Sequence, residues 1–331
     1  MNKKYFRDLA DTVRAKLKDL PENCHIRNHF TDTRLDQISK KIEESHCKDL
    51  EWGYWQPFFL FMINTDASAI QAFEADLKAV MEHTPSNRKT GLVKFLDDER
   101  ECDSSWSAGL FEIFVKAALL KGKGVSVFAL DFDLRKKRNI DVKLQVGERE
   151  FYVECTTMGD SVADKSRWRE HCEKLKEDPN ATLCDSQDAY TQGRRLYGKV
   201  YEKVANGFDL SKSQFCPDSP NLLLISFSPL LGDLTPNSPS IGWALDELFS
   251  SQPTTNSSDI SLQAWLNRQE KKNSLKDLLA TPRQLSGILL FSGCKLEHAR
   301  INYNSERQCR ISHSEMAIFE NILSQPPVYC C

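Results

Sequence analysis

The stretch N-I-D-V-K-L-Q-V-G-E-R-E-F-Y-V-E-C-T-T, residues 139–157, decides the fold. Apolar and polar residues alternate on both sides of Gly147-Glu148, and a period of two is typical of strands with one buried face. A two-residue loop would join the two strands if Gly147 supplies the positive φ of a type II′ turn. The stretch therefore predicts a β-hairpin.

The predicted turn also sets the register of the two strands. The expected pairs are Val146 with Arg149, Lys143 with Tyr152, and Asp141 with Glu154. Like charges opposed across a sheet repel by about 0.2 to 1 kcal/mol, so the last pair favours a bound cation. A hard ion such as Mg²⁺ takes oxygen ligands of this kind. From the hairpin alone, a solvated polar face is the preferred interpretation of the same residues.

Three acids of this region form a family signature. An acidic residue on a helix, an Asp on a strand and Glu-x-Lys on the paired strand are typical of the restriction-endonuclease-like PD-(D/E)XK nuclease superfamily, which residues 104 to 293 resemble. Glu112, Asp141 and Glu154 match the three acids. The chain departs from the pattern at Thr156, which stands where the family has its lysine.

The resemblance implies a metal-dependent nuclease that hydrolyses phosphodiester bonds in DNA, with RNA as an open alternative and a homodimer as one assembly to consider. It implies Mg²⁺, with Mn²⁺ as a substitute. The implied metal ligands are Asp141, Glu154, the main-chain carbonyl of Cys155, and Glu112 through water.

Two lysines are candidates for the missing motif lysine. Lys143 lies on the same strand face as Asp141, and Lys199 lies on a predicted helix that follows the third motif, where the family can point a basic or Gln side chain into the site. Each could also be a surface cation, and that interpretation is preferred for Lys203.

The candidate nucleic-acid contacts fall in two places. The run Arg135, Lys136, Lys137 and Arg138 precedes Asp141, and four cations beside a carboxylate site favour a phosphate backbone, although a charge run is usually a solvated loop. Gln192 and Arg195 form a helical stripe with Lys199 at spacing i, i+3, i+7.

Glu112 is the one acid in an apolar helix, residues 110–119. Its partner is either Lys116, one turn further on, or a metal or water at the hairpin.

A second function is compatible with the same residues. A nuclease-like fold that has lost catalysis would serve as a binding module for nucleic acid or protein, and Thr156 in place of lysine motivates this alternative. Metal binding distinguishes the nuclease from the binding module, because a metal ion that binds only the folded state stabilises that state.

The composition sets broad limits. The chain has 331 residues, a net charge of -3, 40% hydrophobic and 27% charged residues, which is typical of a globular protein and excludes a general polyanion binder. Its 11 cysteines form no CxxC motif, which favours reduced thiols and a cytoplasmic location. No apolar run has the length of a signal peptide core or a membrane span.

The order of elements predicts an α/β fold, specifically an α/β/α sandwich with a mixed central sheet and a helical N-terminal extension. Apolar residues at helical spacing predict that residues 1–100 form a helical region. The family resemblance implies that residues 101–331 form the nuclease-like domain. Besides the hairpin, strands are expected at 125–132, 221–228 and 286–292. Further helices are expected at 188–205 and 241–249, and the residues after 292 give no clear pattern.

Overall fold

The computed structural model describes residues 3–46, 57–97, 104–135, 138–159, 170, 174, 191–205, 215–227, 235–249 and 281–330. The chain divides into two compact units. The helical unit comprises Met1–Leu120 and Pro326–Cys331, and the sheet unit comprises Lys121–Gln325.

The helical unit confirms the helices expected in the first 100 residues. Asp66 begins its longest helix before residue 100, because its carboxylate accepts a hydrogen bond from the Ala69 amide. Phe73 lies fully buried in an aromatic cluster with Phe61 and Trp106. The helices are α1 Lys3–Lys18, α2 His25–His29, α3 Asp32–His46, α4 Pro57–Asn64, α5 Ala67–His83, α6 Lys89–Leu92 and α7 Ser104–Lys121.

The sheet unit holds six strands in the order β1-β2-β3-β4-β5-β6. The pairs β3–β4 and β4–β5 are parallel, and the other neighbours are antiparallel, so the sheet is mixed as expected. The strands are β1 Val125–Arg135, β2 Arg138–Val146, β3 Arg149–Met158, β4 Asn221–Phe227, β5 Gly287–Ser292 and β6 Lys295–Ile301. Helices of this unit are α8 Thr191–Ala205, α9 Pro239–Leu248 and α10 His313–Leu323.

The β2–β3 hairpin has the predicted register. Val146 pairs with Arg149 and Lys143 with Tyr152, and the last paired position is Val142 with Val153. Gly147 has a φ of 59°, the left-handed value that the expected turn requires. Local turn chemistry therefore fixes this part of the fold.

Helices pack on both faces of the sheet. Leu196 of α8 and Ile241 of α9 share a buried cluster with Leu223 of β4. On the other face, Phe319 of α10 packs against Phe151 of β3, with ring centroids 5.5 Å apart. This layering is compatible with the expected sandwich.

The cysteines depart in part from the expected reduced set. Cys24, Cys155, Cys216 and Cys309 are free thiols. Cys294 and Cys330 are disulfide-bonded, so the expectation is wrong for those two. Among the described helices, none combines the length and the apolar composition needed to cross a membrane.

Candidate active site

Asp141 and Glu154 occupy adjacent strands at the position beyond the Val142–Val153 pair. The main-chain amide of Cys155 donates a hydrogen bond of 2.6 Å to Oδ2 of Asp141. This contact fixes the orientation of the Asp141 carboxylate and ties it to the residue that follows Glu154. The hairpin therefore positions both acids, as its sequence predicts.

Lys203 of α8 is the cation that meets these acids. Its Nζ donates a hydrogen bond of 2.7 Å to Oε1 of Glu154. The side chains are 18% exposed for Lys203 and 4% exposed for Glu154. The interpretation of Lys203 as a surface cation is therefore wrong, because the side chain is mostly buried against a strand acid.

The charge of Lys203 is set by two opposing effects. Burial alone would lower the pKa of Lys203, but the charge and hydrogen bond of Glu154, together with the charges of Asp141 and Glu202, raise that pKa above its ordinary value. Lys203 is therefore a fixed cation at neutral pH and has no proton-accepting lone pair.

Asp131 of β1 adds a carboxylate that the sequence analysis missed. One of its oxygens lies within 4.8 Å of an oxygen of Asp141. Its φ is 49°, a left-handed value that is uncommon for residues other than glycine and is most often found for Asn, Asp and His. The strand reads A-L-D-F-D, and acids are depleted in strands, so this composition was a usable signal.

The two nominated lysines make contacts with other acids. Lys143 forms an ion pair of 3.0 Å with Glu150 and lies 5.8 Å from the centre of the Tyr152 ring. Lys199 forms an ion pair of 3.0 Å with Glu202, one turn along its own helix. A catalytic role for either lysine stays a prediction.

Glu112 belongs to α7 of the helical unit. It accepts a hydrogen bond of 2.5 Å from Lys116, a lysine with no exposed side-chain surface. This is the first of the two partners that the sequence allowed, and a metal role for Glu112 stays a prediction. The same holds for the carbonyl of Cys155.

The predicted nucleic-acid contacts belong to different elements, the β1–β2 ladder and α8. Arg135 and Arg138 are paired across the β1–β2 ladder, and Arg138 lies three residues before Asp141. Lys136 and Lys137 lie outside the described residues.

On α8, Gln192 is buried, and Arg195 donates a hydrogen bond to the main-chain carbonyl of Gly159. Arg195 therefore connects the N-terminal half of the helix to the residue that follows β3.

Comparison of the chain with protein-family models, with curated proteins and with solved structures gave no match.

Proposed function

We propose that the protein is a metal-dependent nuclease that hydrolyses phosphodiester bonds, with DNA as the first substrate to test and RNA as the second. The observation that carries the proposal is the buried pair of Lys203 and Glu154 beside Asp141. Two strand acids and a nearby cation are the chemical parts of the motif that the sequence resembles. Lys203 supplies the positive charge that Thr156 cannot.

The donor atoms suit a hard divalent cation. Asp131 and Asp141 each offer a carboxylate oxygen, and the two oxygens are close enough to contact one ion. Oxygen ligands of this charge are the kind that Mg²⁺ and Mn²⁺ bind. When bound, such an ion lowers the pKa of its water and stabilises charge on a phosphoryl oxygen.

The side chains around the proposed ion have separate roles in the reaction. Lys203 is charged, so its role is to stabilise negative charge that develops on the phosphate and to orient the attacking water by donating a hydrogen bond. Glu154 holds the ammonium group in place through their 2.7 Å contact. Asp141 is held in turn by the Cys155 amide.

The basic run that precedes Asp141 in the sequence, Arg135, Lys136, Lys137 and Arg138, supports a nucleic-acid substrate. Phosphate contacts from such a cluster are independent of sequence and depend steeply on salt. We therefore expect substrate binding to weaken as salt concentration rises.

The test is cleavage of plasmid, linear duplex, single-stranded DNA and RNA with Mg²⁺, Mn²⁺ or EDTA. Asp141→Asn is the matched variant, because an amide keeps an oxygen that can accept the Cys155 hydrogen bond. We expect metal-dependent cleavage that falls at least about 100-fold in this variant, the usual scale for removing one preorganised electrostatic group. Cleavage that survives in EDTA or in Asp141→Asn contradicts the proposal.

A second candidate is the binding module without catalysis. It is favoured by the contact that places Lys203 on Glu154, since an ion pair of this kind also serves a purely structural role. Thermal unfolding with and without Mn²⁺ separates the candidates. A nuclease is stabilised by Mn²⁺, and Asp131→Asn removes that shift; a binding module shows no shift in either protein.

A further inference from the structure

An arginine pocket lies on the sheet unit away from the carboxylates. It is a cavity of about 620 Å³. One of its residues, Arg149, precedes Glu154 by five residues on β3. Because side chains alternate along a strand, Arg149 projects from the face of the sheet opposite to Glu154. Its lining residues are Arg149, Arg307, Gln308, Arg310, Ile311 and Ser312.

The protein fixes two of the three guanidinium groups. Arg149 donates hydrogen bonds of 2.7 Å to Oε1 of Glu315 and to the main-chain carbonyl of Arg310. Arg310 uses its Nε to bond the carbonyl of Ser305, at 3.2 Å. Within the described residues, the two terminal nitrogens of Arg310 have no protein acceptor. A guanidinium held by one edge presents its other N–H groups in a fixed geometry that suits phosphate.

The charge balance of the pocket is positive. Arg149, Arg307 and Arg310 contribute three charges, and Arg307 and Arg310 are exposed. Two carboxylates offset part of this: Glu315, which pairs with Arg149, and Glu306, which accepts a hydrogen bond from Gln308. An anion entering the pocket therefore meets a net excess of cations.

An exposed aromatic ring lies beside the pocket. Tyr303 is 65% exposed, although a large apolar ring is normally covered. His313, the residue after the lining Ser312, accepts or donates a hydrogen bond of 3.0 Å with the Tyr303 hydroxyl and lies 5.9 Å from its ring. Exposed aromatic rings next to cations are the usual platform for an unpaired base.

We propose that the arginine pocket binds the phosphate of a nucleotide unit whose base stacks on Tyr303. The nucleotide is either free or part of a single strand, since both present the same phosphate and base. The site does not rest on the proposed hydrolysis, because it uses none of the residues assigned to it.

The experiment is fluorescence anisotropy of a labelled 12-nucleotide single-stranded DNA with the full chain in EDTA at low salt. We expect Arg307→Gln/Arg310→Gln to bind about tenfold more weakly, and the slope of log affinity against log salt to fall by about 0.7 for one lost phosphate contact. Tyr303→Ala should weaken binding about fivefold or more.

Arg300→Gln is the matched control. Arg300 pairs with Asp246 of α9, on the other face of the sheet, and its loss should change affinity less than twofold. Arg307→Gln alone is the second variant, because Arg310 also bonds Ser305. Unfolding midpoints check that each variant folds.

Competition identifies the source of the phosphate. A mononucleotide that displaces the oligonucleotide shows a free nucleotide site, and displacement by oligonucleotides alone shows a strand site; both support the proposal. It is overturned if the arginine variants bind as wild type, or if a phosphoserine peptide competes while the mononucleotide does not. Binding is measured in EDTA, where metal-dependent cleavage cannot occur, so a failure of catalysis and a failure of the pocket are distinguishable.

Discussion

Lys203 and Glu154 depend on each other because neither can reach water freely. Glu154 is 4% exposed at its side chain, so its ionised form is tolerated only with a partner. The pKa of Lys203 in the folded state lies above its ordinary value, so protonated Lys203 contributes its full stabilisation just below the ordinary lysine pKa of about 10.4, and this contribution is lost as pH rises through the higher folded value.

Removing the cation alone should destabilise the sheet unit strongly. Lys203→Met leaves a buried carboxylate without its ammonium partner, and breaking a buried pair in this way typically costs about 3 to 5 kcal/mol. The measurement is the free energy of unfolding in urea. The double variant Lys203→Met/Glu154→Leu should recover most of the loss, because it removes both charges. A double variant as unstable as the single one contradicts a mutual dependence.

The position of α8 explains why Lys203 reaches Glu154. The helix runs back along β3, because Arg195 contacts Gly159 at the end of that strand and Lys203 contacts Glu154 within it. It is anchored by Arg195 at Gly159. From that anchor, Glu154 lies about 17 Å back along the strand, whereas Lys199 lies about 6 Å and Lys203 about 12 Å along the helix. A long lysine side chain covers the remaining distance from Lys203 but not from Lys199.

This difference in reach predicts unequal effects on activity. Lys203→Gln should lower metal-dependent cleavage at least about 100-fold, since it removes the charge at the acids. Lys199→Gln should stay within about twofold, because Lys199 pairs with Glu202 on the helix surface and such pairs contribute little. The measurement is the initial cleavage rate of each variant compared with that of the wild type. Equal losses of cleavage rate in the two variants would indicate that Lys199 also acts in the site.

The elements that the sequence predicts are those with local causes. Gly147 and the alternation around it determine the hairpin and its register, and the apolar run of β4 marks a strand buried on both faces. Helix α10 also has a local signal, the capping box of Ser312 and Glu315, which the sequence analysis did not use.

The parts of the site that could not be predicted depend on distant residues. The contact of Lys203 with Glu154 joins positions 49 residues apart in the sequence. The left-handed backbone of Asp131 belongs to a strand with irregular pairing to β2. Neither leaves a periodic pattern in the sequence.

At the scale of the whole molecule, a partly buried histidine makes the stability of the helical unit depend on pH. Burial in the helical unit, together with the smaller effect of the nearby Arg34 charge, lowers the pKa of His29 to about 4. The ordinary pKa of histidine is about 6.5, so between this pH and the folded-state pKa the unfolded chain binds a proton that the folded unit does not bind. Stability of the helical unit should therefore fall as pH drops from about 6.5 to about 4.

The test compares wild type with His29→Gln in thermal unfolding from pH 7.5 to pH 4.5. We expect the wild-type midpoint to fall more steeply with pH than that of the variant, because glutamine does not titrate. If the unfolding midpoint falls equally steeply with pH in both proteins, His29 does not cause the loss of stability in acid. Two units need not unfold together, so each transition is followed separately.

The helical unit is built from both ends of the described chain. Tyr329 donates a buried hydrogen bond of 2.6 Å to Asp76, across 253 residues of sequence. At the ribosome's pace of about 5 to 20 residues per second, Asp76 emerges roughly 10 to 50 seconds before its partner. The first unit to be synthesised is thus the last to be completed, and a nascent chain stalled inside the sheet unit carries an open helical core that chaperones must shield.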